Sequence, residues 1–168
     1  MSTHLLFERW VPSPVDRVFA FSSNPENLPR IMPLAIGTML IELNRMPPPK
    51  PLVGVAREKA AGAGSTIVTS FRVFPLLPIR VRWIARIPEF EWNHHFADAQ
   101  NQGPFQNWHH RHEFLAEASG ATAGLVRQVI DYEVGFGFLG AIANALLLRR
   151  QMQSAFLQRQ KVLPRLLL

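Results

Sequence analysis

The segment HFADAQNQGPFQNWHHRHEF (residues 95–114) decides how this chain is read. Its second half alternates residue by residue, as a strand with two unlike faces does. Trp108, His110, His112 and Phe114 share one face, and Asn107, His109, Arg111 and Glu113 share the other. The aromatics mark the first face as buried, and the charged residues mark the second as wet. His110 and His112 are therefore expected to point inward and His109 outward. Just upstream, Trp92, His94, Phe96, Asp98 and Gln100 alternate together. A hairpin turning at NQGP (101–104) is expected to set Phe96 near His110 and His94 near His112. A slip of one residue would bring His95 inward instead.

The same period of two extends outward. In IRVRWIARI (79–87), Val81, Trp83, Ala85 and Ile87 lie on one face and Arg80, Arg82 and Arg86 on the other. In LVRQVIDYEV (125–134), Val126, Gln128, Ile130, Tyr132 and Val134 face one way, with Arg127, Asp131 and Glu133 opposite. One polar face per strand means an antiparallel sheet with one side in water. Residues 4–12 read as a first strand. SPVDRVFAF then starts a helix, with Ser13 as N-cap and Pro14 at the first helical position. NPENLPRIMP (24–33) restarts at Asn24, and its prolines keep a second helix short. A strand is expected over 36–43, and about six strands between 65 and 134. After GFG (135–137) the period turns helical. Phe138, Ile142, Leu146, Arg149, Gln153 and Phe156 recur at three- and four-residue spacing toward Pro164. Runs of strands closed by one long helix predict α+β packing, the sheet curling round the helix.

Composition narrows the function classes. The chain has 168 residues, 48% of them hydrophobic, with twelve Phe and four Trp, enough for one domain with an aromatic core. It has no cysteine, so disulfides and thiolate chemistry are excluded, and a reducing cytoplasm is the expected location. Glu8 and Arg9 interrupt the first apolar stretch, against a signal peptide. The run FGFLGAIANALLL (136–148) is shorter than the roughly 20 residues that span a bilayer. A net charge of +6 raises nucleic acid or anionic membrane as partners. The arginines are dispersed and no nucleic-acid motif accompanies them, so no nucleic acid is expected, while weak contact with anionic lipid stays open. Residues 44–64, proline-rich then small, read as a long loop, either a lid or a solvated insertion.

SPVDRVFAFSSNPENLPRIMP, RWIARI, HFADAQNQGPFQNWHHRHEF, YEVGFGFLG and the late FLQR, in that order, resemble the ligand-binding branch of the START-like (SRPBCC) superfamily, which includes polyketide cyclase/dehydrase-like proteins. The resemblance covers nearly all of the chain except 44–64. It implies one helix-grip domain over 1–168: a curved antiparallel sheet around a long C-terminal helix, two short helices after the first strand, and a hydrophobic cavity. It also implies a small hydrophobic partner such as a lipid, polyketide or quinone, without cofactor. The chain departs from the family pattern at Gln128, where an acidic residue is usual, and at Gly135, where proline is usual.

Strand alternation, combined with that resemblance, gives the expected ligand contacts. On the sheet side they are Phe71, Trp83, Phe96, Trp108, His110, His112, Phe114, Gln128 and Tyr132; on the helix side they are Ile142 and Leu146. Three chemistries compete for the histidines. Ligand orientation in an apolar pocket leads. Acid–base catalysis by His110 or His112, with Asp98 as orienting carboxylate, would make the protein a cyclase or dehydratase. Metal binding by His94, His110 and His112 is the weakest, for want of an evident inward carboxylate. A peripheral lipid-transfer role is a further alternative.

Overall fold

The computed structural model describes residues 2–50, 59–72, 78–117, 122–135, 137 and 147–167. The chain opens with β1 (Ser2–Val11), α1 (Val15–Ser22), a 3-10 turn (Pro25–Asn27) and α2 (Leu28–Ile31). Then come β2 (Met39–Asn44), β3 (Thr66–Arg72), β4 (Arg80–Arg86) and β5 (Phe90–Glu91). They are followed by β6 (His95–Gln102), β7 (Asn107–Ala116), β8 (Gly124–Glu133) and the helix α3 (Arg149–Leu167). The strands form one antiparallel sheet in the order β1-β8-β7-β6-β4-β3-β2, with β5 attached to β6. Irregular register between Leu40 and Glu42 and between Ile84 and Ala85 marks two places where the sheet bends.

Local chemistry sets the elements. Period-two burial is cleanest in β8, where Gly124, Val126, Gln128, Ile130 and Tyr132 are buried and every residue between them is only partly so. The start of α1 differs by one residue from the expectation. Pro14 is the N-cap, and its carbonyl takes the N–H groups of Arg17 and Val18, while Ser13 Oγ is buried without a hydrogen-bond partner among the described residues. Proline fixes the entry angle, so the serine is one position too early to cap. At the next restart Asn24 caps as expected, its side chain accepting from the Glu26 N–H at 3.2 Å.

α3 runs through Pro164 to Leu167, beyond the expected stop. Its inward side also differs. Arg149 is exposed, and Met152, Ala155, Phe156, Arg159 and Leu163 face the protein. The helical expectation at Phe138, Ile142 and Leu146 lies outside the described residues. Of the loop expected over 44–64, residues 51–58 also lie outside them. Its ends are pinned: Ala61 N–H donates to Ser23 O, Gly62 N–H donates to Met46 O, and Ala60 and Ala61 are buried. A Cβ on Gly62 would come within 2.6 Å of the Pro48 backbone, so glycine permits this closure.

Two apolar clusters flank the concave face of the sheet. Val11, Val18, Phe19, Phe96, Phe114, Val126, Leu163 and Leu167 join α1 and the end of α3 to the sheet. Leu5, Trp108, Ile130, Tyr132 and Phe156 form the second cluster. No helix among the described residues is long and apolar enough to cross a membrane.

Candidate functional site

Between these clusters the curved sheet and α3 enclose a cavity of about 580 Å³. The sheet supplies Ile67, Thr69, Phe71, Trp83 and Ala85, then Phe96, Asp98, Trp108, His110 and His112. The opposite wall is Met152, Ala155, Phe156 and Arg159 of α3, with Leu28 and Ile31 closing one side. Its size is typical of a small-molecule site.

The β6–β7 hairpin carries the polar groups, in a register two residues away from the expected one. Phe96 stands opposite His112, and Asp98 opposite His110. The turn occupies 103–106 because Gln100 clasps Phe105, donating to its carbonyl at 2.7 Å and accepting from its N–H at 3.3 Å. Gly103 makes room for that clasp, since a Cβ there would lie 2.4 Å from Gln100 Oε1. A shift of two preserves the faces, so His110 and His112 point inward as expected. His94, however, sits in the exposed turn before β6, and His95 points outward to Glu89 and Glu91. The expected His94–His110–His112 metal set is thus not assembled.

Asp98 takes the place expected for His94. Its Oδ1 lies 3.2 Å from both His110 Nδ1 and His112 Nε2, and its Oδ2 accepts from Trp108 Nε1–H at 2.9 Å. A carboxylate only accepts, so both imidazoles must present N–H groups to it. Burial works to raise the Asp98 carboxyl, but the imidazoles of His110 and His112 outweigh it and hold it well below the usual carboxylate range. Burial pushes the His110 imidazole down against the pull of Asp98 and a weaker pull from Gln128. His112 is pushed down to about 3, by burial first and then by His110, whose ring centre is 3.9 Å away. Both rings are neutral at neutral pH. Phe96 stacks on His112 at 4.2 Å, and Phe156 meets His110 edge-on at 5.1 Å.

His110 Nε2 is buried without a hydrogen-bond partner among the described residues, with the Gln128 side chain close enough to pull on the ring. Three more atoms, on cavity-lining residues, share this condition: Thr38 Oγ1, Trp83 Nε1 and Arg159 Nε. Arg159 is a site residue the sequence reading missed. It is only 8% exposed, with its guanidinium 4.7 Å from the Phe156 ring centre. Burial lowers its pKa to about 10, opposed by the charge of Asp98. At that value it is still a cation at neutral pH. The signal for it was its spacing, three residues after Phe156 and four before Leu163, both buried.

Of the expected contacts, Phe71, Trp83, Phe96, Trp108, His110 and His112 line the cavity. Phe114 and Tyr132 share the inward face but belong to the flanking packed clusters. Gln128 is buried opposite His112 on β8, outside the lining, with Oε1 lacking a hydrogen-bond partner. Ile142 and Leu146 lie outside the described residues. The donor atoms of Asp98, His110 and His112 fall within 4.8 Å of one another. Two imidazoles and a carboxylate suit a divalent transition metal in donor chemistry. As arranged here, Asp98 Oδ1 is instead engaged by the two rings.

The architecture is the START-like helix-grip fold expected from the sequence: a curved antiparallel sheet, a C-terminal helix, and two short helices after the first strand. Solved structures of that class match along nearly the whole chain. A protein from Thermus thermophilus aligns over 97% of this chain and 95% of its own, at 18% identity and a TM-score of 0.67. Norcoclaurine synthase from Thalictrum flavum, a point mutant in complex with a transition-state analogue, covers 97% and 94% at 14% identity and a TM-score of 0.61. A START superfamily protein from Mycobacterium smegmatis covers 95% and 96% at 12% identity and a TM-score of 0.59. No protein-family model matches the chain, and no curated protein matches it.

Proposed function

We propose that this protein binds one small, largely apolar molecule in the cavity and fixes its polar end against Asp98, His110, His112 and Arg159. The observation that carries this reading is a mostly apolar cavity of about 580 Å³ whose lining brings together Asp98, His110, His112 and Arg159, with a buried polar atom lacking a hydrogen-bond partner among the described residues on both His110 and Arg159. Each such atom left without a partner costs roughly 1–3 kcal/mol. A ligand with matching groups removes that cost and fills the apolar volume.

Native mass spectrometry of the freshly purified protein, set against its denatured mass, tests the reading. A retained organic adduct is expected, and Ala155→Phe, which grows a ring into the cavity from α3, should abolish it. An adduct that survives this substitution would show that the molecule sits elsewhere. A metal mass that disappears with a chelator would instead favour the Asp98–His110–His112 donor set.

His110 Nε2 favours a second reading, an acid–base enzyme. An imidazole held beside a carboxylate on the lining of a cavity has the layout of a general base. Under this reading His110→Gln abolishes turnover of a cyclisable or dehydratable polyketide-like substrate while leaving it bound. Under the carrier reading the same change weakens binding and there is no turnover to lose.

A further inference from the structure

We infer that the cavity selects molecules carrying a single carboxylate, which Arg159 binds. This rests on the cavity-binding reading above and names the chemical class of its ligand. The guanidinium is more than nine-tenths buried, lines the cavity, and has no ion pair among the described residues. Its Nε–H has no acceptor, and its described interaction is with the face of Phe156. A buried guanidinium offers five donors in a planar fork and is costly to leave without acceptors.

Asp98 does not fill that role. Its two oxygens are taken by Trp108, His110 and His112, so its charge reaches Arg159 only through space. The two charges, one anion and one cation, thus act on each other through space, and among the described residues no acceptor meets the Arg159 Nε–H. A planar carboxylate matches the guanidinium fork with two parallel N–H···O bonds. Of the two arginines on the lining, Arg72 and Arg159, only Arg159 is buried, and it shares its surroundings with the Asp98 anion, so a single carboxylate adds less unbalanced charge there than a phosphate dianion does. The neighbouring imidazoles add to this selection. Once each has given its N–H to Asp98, a neutral ring has an acceptor nitrogen left, which takes a hydroxyl or amide N–H adjacent to the carboxylate and repels a second anion.

Decanoate and 1-decanol serve as matched probes, one anionic and one neutral, followed by tryptophan fluorescence at pH 7.5, since Trp83 and Trp108 line the cavity. Wild type is expected to bind decanoate about tenfold to a hundredfold more tightly, the effect of one or two charge-assisted hydrogen bonds. Arg159→Gln should remove that preference, decanoate then binding no more tightly than decanol to the variant. Equal affinity of the two probes for wild type overturns this inference and leaves the cavity reading standing. Failure of both to bind overturns the two together. Should R159Q not fold, the wild-type comparison still decides. A second readout is the carboxyl-13C resonance of bound decanoate. It should report ionisation at a lower pH than free decanoic acid, and titration at or above the free value counts against Arg159 as its partner.

Discussion

The two faces of the β6–β7 hairpin hold the same residue types and give them opposite physics. On the convex side, Glu89 lies within 3.2 Å of His95 Nε2 and 3.5 Å of His109 Nε2, and also pairs with Arg111. Arg111 and Arg127 both reach Glu113, and Arg127 reaches Glu8 at 2.6 Å. These groups are partly or well exposed, so water and salt screen them. On the concave side one carboxylate, 19% exposed at the cavity, meets an indole and two imidazoles that are only 3% and 7% exposed. A wet network tolerates the loss of a member because solvent replaces it. The dry one has no such substitute, so each group there depends on the others.

Removing the central anion from each face exposes that difference most strongly. Asp98→Ala leaves Trp108 Nε1–H and two imidazole N–H groups without their acceptor, and deprives Arg159 of its countercharge. The expected cost is about 3–5 kcal/mol. That corresponds to a fall in Tm of about 10 °C for a chain of this size. Thermal unfolding by circular dichroism measures it, and a loss below about 1 kcal/mol, the range of solvated pairs, would mean that the concave cluster is as wet as the convex one. Asp98→Asn is the narrower comparison: it keeps one acceptor oxygen, removes the charge, and turns the other oxygen into a donor NH2.

The second expected effect is on pH dependence. Both concave imidazoles bind protons less readily in the folded protein than at their ordinary value of 6.5. Below about pH 6.5 the unfolded chain therefore takes up protons that the native state refuses, and stability must fall as pH falls. For His112 alone the slope approaches about 1.4 kcal/mol per pH unit from about pH 6 down to about pH 4, and His110 adds to it in the same direction. His112 takes its proton in the folded state only near pH 3. The Asp98 carboxyl adds a further loss below about pH 3.9, where the unfolded carboxylate protonates and the native one does not. Denaturant melts at half-unit pH steps would trace the curve. His112→Gln, which still offers Asp98 an N–H, should lower the slope by about one proton. A flat profile across the whole acid range below neutrality would contradict neutral buried rings.

How far the two faces were readable in the sequence follows from what each signal depends on. The period of two is a property of the backbone alone, so HHRH sorted correctly into His110 and His112 inward and His109 outward. Pairing across the hairpin depends on where the turn closes. Gln100 and Gly103 move that point through a side-chain clasp that no periodicity reports. Hence the two-residue error, with Asp98 rather than His94 beside the histidines. Arg159 escaped for a different reason. An arginine on a helix reads as solvent-facing by default, and only its place between Phe156 and Leu163 pointed inward. Ser13 likewise has the usual N-cap chemistry and loses the position to Pro14.

The smallest expected effect lies at the centre of the convex network. Glu89→Ala removes the acceptor shared by His95, His109 and Arg111, a set matching in number the side chains Asp98 holds on the inner face. A tally of partners would therefore rank the two losses alike. Solvation separates them: the groups released on the outer face are at least partly open to water, and Arg111 keeps Glu113 at 3.1 Å. The expected cost is below about 1 kcal/mol, and smaller again in high salt. Equilibrium unfolding of E89A and wild type at low and high ionic strength measures both quantities. A loss matching that of Asp98→Ala, and indifferent to salt, would show that the outer cluster is shielded from water. The contrast between the faces would then have to come from geometry rather than from solvent.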